Sequence, residues 1–85
     1  MVIIKIYENI GWSNFRNDLI TITNYYSPSN DYEGSEVKIT CEKATSAKRG
    51  RASSEIDAIW YAMQAARPEV TDEEMAEVIR WLLRH

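Results

Sequence analysis

The chain opens on VIIKIYE, where Val2, Ile4 and Ile6 fall on one side of an extended backbone and Ile3, Lys5 and Tyr7 on the other. Period-two alternation of this kind predicts a β-strand over Val2–Glu8 with its even positions in the core. Apolar bulk on the odd side as well points to a central or partly covered strand. NIGWSNFRND then breaks the alternation: Gly11, Asn14, Asn17 and Asp18 are turn formers, so a loop is expected here, and it holds Trp12 and Phe15. LITITNYY, at 19–26, is rich in β-branched and aromatic residues and predicts a second strand, with Ile20 and Ile22 inward and Thr21, Thr23 and Tyr25 opposite. SPSNDYEGS, at 27–35, is dense in turn formers and predicts a hairpin loop. EVKITCE, at 36–42, sets Val37, Ile39 and Cys41 strictly against Glu36, Lys38, Thr40 and Glu42, giving a strand with one buried and one wet face.

Beyond residue 52 the period lengthens to that of a helix. Ser53 or Ser54 supplies an N-cap, and Ser54 with Asp57 has the form of a capping box. Ile56, Ile59, Trp60 and Met63 then make one helical stripe, and Pro68 ends it. Thr71 with Glu74 forms a second capping box, Val70 is placed to staple onto Met75, and Met75, Val78, Ile79 and Leu82 repeat the stripe. Asp72, Glu73 and Glu74 open this helix and Arg80, Arg84 and His85 close it, as the macrodipole favours. The short link predicts an antiparallel αα-hairpin. The expected architecture is a single α+β domain over 1–85: a three-stranded antiparallel β-meander followed by an αα-hairpin packed on one face, β-β-β-α-α.

Composition is that of a globular chain, 45% hydrophobic and 27% charged, long enough for one core. No apolar run approaches the roughly 20 residues that span a bilayer, and the first residues lack the pattern of a signal peptide. A lone cysteine, Cys41, forms no internal disulfide, so a reducing compartment, the cytoplasm, is expected. Net charge is −3, yet KATSAKRGR at 43–51 concentrates Lys43, Lys48, Arg49 and Arg51, four of the ten basic residues. This run reads as a solvated connector on an acidic body. Such a body binds phosphate backbones poorly but complements a basic partner surface.

Catalytic chemistry finds little to work with. His85 is the one histidine, so neither a Ser-His nor a Cys-His couple is available in the body of the fold. Cys41 reads as a small core residue, and one cysteine with one histidine makes no zinc site. The glycines, at 11, 34 and 50, build no phosphate loop. No catalytic residue, metal or cofactor is therefore expected. A helix-turn-helix reading fails because the recognition helix would begin with Asp72, Glu73 and Glu74.

What remains is surface chemistry. Trp12, Tyr25, Tyr26 and Tyr32, with Asp31, Glu33 and Glu36 as an acidic rim, are the candidate partner-binding residues. Tyr25 and Tyr26 are adjacent on a strand and face opposite ways, so one of them is expected to be exposed. Lys48, Arg49 and Arg51 are candidate phosphate or ionic contacts. The leading functional expectation is a small acidic, non-catalytic protein-binding module: a regulator or inhibitor docking on a larger protein with a basic surface, nucleic-acid-handling proteins among them. In size, charge and lack of a catalytic set it is similar to phage-encoded inhibitors of host defence, including anti-CRISPR proteins. The alternatives are a weak nucleic-acid-binding module using 43–51, with Tyr25 for stacking, and a homo-oligomeric structural subunit joined through a strand edge or helices.

Overall fold

The computed structural model describes residues 1–41 and 45–85. Its elements are β1 (Val2–Glu8), a 3-10 turn (Ser13–Phe15), β2 (Leu19–Tyr26), β3 (Tyr32–Thr40), β4 (Thr45–Gly50), α1 (Glu55–Ala66) and α2 (Asp72–Arg84). The strands form one antiparallel sheet in the order β1-β2-β3-β4. Ile20, Ile22, Val37 and Ile39 from the sheet join Ile59, Met63, Met75, Val78, Ile79 and Leu82 from the helices in a single core.

The sheet thus has four strands, not the expected three. Thr45–Gly50, within the segment read as a connector, forms β4 along β3, with Lys48 opposite Val37 and Ser46 opposite Ile39. Its sequence, TSAKRG, shows no apolar alternation because this edge strand is held by the backbone ladder rather than by buried side chains. Small residues here serve a different purpose. A Cβ on Gly50 would stand 1.8 Å from the Ala58 carbonyl oxygen, so the bare backbone of β4 is what lets α1 come down onto it. Lys43 and Glu42 lie outside the described residues. β3 also begins earlier than expected, shrinking the hairpin loop to 27–31, and Cys41 lies just past its end, partly exposed rather than in the core.

The facing of β1 is the second correction. β1 is an edge strand, and its register sets Tyr7 opposite Ile20, Lys5 opposite Ile22 and Ile3 opposite Asn24. Its odd side is therefore on the helix side of the sheet, where Tyr7, buried, donates its hydroxyl to the Leu82 carbonyl at 2.8 Å, while Ile3, near the start of the strand, stays 42% exposed. Val2, Ile4 and Ile6, expected in the core, lie on the opposite face, 50%, 56% and 63% exposed. With apolar residues on both sides, the strand's own pattern did not select a face, and a shift of one residue exchanges them all.

The helices follow the sequence more closely. Ser54 Oγ accepts from the Asp57 N–H, and Thr71 Oγ1 from the Glu74 N–H, each at 3.3 Å. All four residues of the α2 stripe are buried, as is Val70 just before the helix. On α1 the stripe is rotated: Ile59 and Met63 are buried, but Ile56 is exposed and Trp60 half-buried, while Ala58, Ala62 and Ala66 face inward. Alanines take that side because α1 lies so close to β4. Phe15 is fully buried in the first loop, and an ion pair between Asp18 and Arg67, 3.3 Å apart, ties this loop to the turn between the helices.

Candidate interaction surface

Both helices cover the same side of the sheet, which leaves the other side open. On that open face, β1 sets Val2, Ile4 and Ile6 beside Tyr25, Thr23 and Thr21 of β2. Next come Gly34, Glu36 and Lys38 of β3, then Arg49 and Ala47 of β4. The face grades from an apolar edge through a hydroxyl-bearing middle to a charged far side.

At one end of the sheet, Arg49 holds its guanidinium carbon 4.3 Å above the centre of the Tyr25 ring, a cation–π pair. Gly34, paired with Tyr25 on the strand between them, puts no side chain in the way. The register slips between Tyr25 and Tyr26, whose partners are Gly34 and Tyr32, so Glu33 is the extra residue of a β-bulge. Glu33, Tyr25, Arg49 and Arg51 line an open cleft of about 430 Å³.

Behind this corner, toward the helices, runs a chain of polar contacts. Tyr26 and Tyr32 meet edge to face, with ring centroids 5.7 Å apart. The Tyr32 hydroxyl bonds Ser35 Oγ, which donates to Asn24 Oδ1, and Asn24 Nδ2 donates to Glu55 Oε1 at 2.9 Å. Asn24 and Ser35 are almost completely buried, so this network fixes the start of α1 to the β2–β3 hairpin. Burial raises the pKa of the Tyr32 hydroxyl; the bond to Ser35 opposes the shift, and the charge of Glu55 adds to it. Tyr7 is raised likewise, first by burial and then by Glu55.

The residues singled out in the sequence do not form one patch. Asp31 and Glu33 are exposed, and Glu36 is half-buried opposite Arg49. Tyr25, Tyr26 and Tyr32 are half-buried and engaged with other groups, Tyr25 on the open face and the other two on the helix side. Neither of the adjacent tyrosines is freely exposed. Trp12 lies at the opposite end, its ring edge to face with Trp81 at 6.0 Å. The basic set is divided too. Arg49 and Arg51 share the cleft, whereas Lys48 alternates to the other side of β4.

Val2, Ile4 and Ile6 were missed as surface residues. The signal was present, in a strand apolar on both sides within a chain whose two helices can cover only one. Among the described residues there is no group of three or more His, Cys, Asp and Glu side chains that could hold a metal ion. No helix among them is long and apolar enough to cross a membrane. Comparison with family models, with curated proteins and with solved structures finds no match to this chain.

Proposed function

We propose that this chain is a small non-catalytic protein-binding module, a regulator or inhibitor that docks on a larger partner through the open face of its sheet. The observation that carries this reading is the row Val2, Ile4 and Ile6, each at least half exposed and adjacent on one strand. Single exposed apolar residues are ordinary, but a contiguous row bordered by polar residues resembles the apolar centre and polar rim of an interface. The net charge of −3, with Asp31 and Glu33 exposed at the corner, favours a partner with a basic surface. A nucleic-acid-handling protein of the cytoplasm is the narrower form of this reading, and inhibition of a host defence system of the anti-CRISPR type is narrower still.

The cleft of Tyr25, Arg49 and Arg51 supports the alternative, weak binding of nucleic acid. That reading has less behind it, because the Glu33 carboxylate lines the same cleft and Lys48 points elsewhere. Affinity capture from nuclease-treated host lysate separates the two. The wild-type chain and a Lys48/Arg49/Arg51→Ala variant are expected to retain the same protein, and Thr23→Arg, which sets a cation beside Ile4 on the open face, is expected to lose it. Nucleic acid recovered without nuclease, and lost with the triple variant, would replace this reading by the alternative.

A further inference from the structure

The two edges of the sheet are unlike. β4 carries Lys48 and Arg49, charges of the kind that discourage strand addition, whereas β1 offers VIIKIY with a single cation. The backbone of β1 shows which groups are on offer. Met1 and Tyr26 exchange two main-chain hydrogen bonds: the Tyr26 N–H donates to the Met1 carbonyl at 2.9 Å, and the Met1 amine to the Tyr26 carbonyl at 3.1 Å. Bonded pairs alternate along an antiparallel ladder, and the register from Val2↔Tyr25 to Glu8↔Leu19 is unbroken. Ile3, Lys5 and Tyr7 therefore turn their N–H and C=O groups toward β2, while Val2, Ile4 and Ile6 turn theirs to the free edge. The same three residues present apolar side chains on the open face and unsatisfied backbone at the edge.

We propose that β1 pairs antiparallel with β1 of a second copy of this chain, about a twofold axis at Ile4, joining the two sheets into one. This axis sets Ile4 opposite Ile4 and Val2 opposite Ile6. Each of these outward-facing pairs exchanges two hydrogen bonds, and on the helix side Ile3 stands opposite Lys5. Neighbouring registers are worse. An axis at Lys5 sets two lysines face to face and Val2 against Glu8. An axis at Ile6 sets Ile4 against Glu8, and one at Ile3 pairs Val2 with Ile4 but carries Ile6 past the span of the partner copy's β1, Val2–Glu8. Self-complementarity in a single register is what selects a second copy over an unrelated strand. The inference rests on the reading of the open face as a docking surface and extends it, because the two apolar rows adjoin at the centre of the joined sheet and form one platform. A strand-edge contact falls below roughly 1,200 Å², the range of weak, reversible interfaces, so assembly depends on concentration.

Sedimentation velocity tests this directly. The wild-type mass is expected to rise from one chain toward two across roughly a hundredfold increase in concentration. Ile4→Lys and Ile4→Glu, which alter an exposed side chain, each remain monomeric alone, and their equimolar mixture dimerises because the axis sets the two positions opposite each other. Amide hydrogen exchange on the wild-type chain needs no variant: Val2, Ile4 and Ile6 are expected to slow with concentration, and the N–H groups of β4 are not. A wild-type chain that stays monomeric, or a mixture that does, overturns the proposal. Partner capture is scored separately through Thr23→Arg, so a monomer that still captures its partner overturns the dimer alone.

Discussion

At Gly50 the atom that a methyl group would strike is backbone, the Ala58 carbonyl, so no side chain can swing away to make room. Gly50→Ala is expected to cost about 3 kcal/mol or more, measured by urea unfolding, because α1 must lift from β4. Tyr7 is a residue of another kind, buried and bonded to α2 through one hydroxyl. Tyr7→Phe is expected to cost about 1 to 2 kcal/mol near neutral pH. Burial, then Glu55, raises its pKa above the usual value of about 10, so the unfolded chain ionises first. Stability from the neutral phenol is complete below about pH 10 and is lost as pH rises through the folded pKa. Above about pH 10, wild-type stability is therefore expected to fall more steeply than that of Tyr7→Phe in a pH series of urea titrations. Tyr32, shifted in the same direction, leaves a residual slope in the variant.

Among the elements, those with local signals were legible. α2 was readable because its cap and its stripe agree, and Thr71→Ala is expected to cost about 1 kcal/mol, lowering the melting temperature by roughly 4–8 °C. The first two strands were placed to the residue, since β-branched alternation between turn formers is also local. What could not be read was set by neighbours. β4 has no pattern of its own, and its existence depends on β3 beside it and α1 above it. The rotation of α1 follows from the same close approach, which favours Ala58 and Ala62 over Ile56. The facing of β1 was decided by its register with β2 and by a partner for the Tyr7 hydroxyl, both distant in sequence. The candidate site inherited that error. In sequence, aromatic and charged residues read as surface chemistry, whereas the alternation of Val2, Ile4 and Ile6 reads as a core face.

For the molecule as a whole, the facing of β1 divides its isoleucines into two populations that a stability measurement can tell apart. Ile6→Thr is expected to change unfolding free energy by no more than about 0.5 kcal/mol, whereas Ile39→Ala is expected to cost about 2–5 kcal/mol. Equal losses at the two positions would return β1 to the core. The meander order has a consequence for how the chain is made. Each of β2, β3 and β4 pairs with the strand synthesised just before it, but both helices that shield the sheet are encoded after all four strands. At roughly 5–20 residues per second, the strands emerge from the ribosome seconds before α2 does. During that interval the helix-facing isoleucines are as bare as those of β1, so the nascent chain is stickier than the finished protein. Yield in a cell then depends on translation speed and on the chaperones waiting at the tunnel exit.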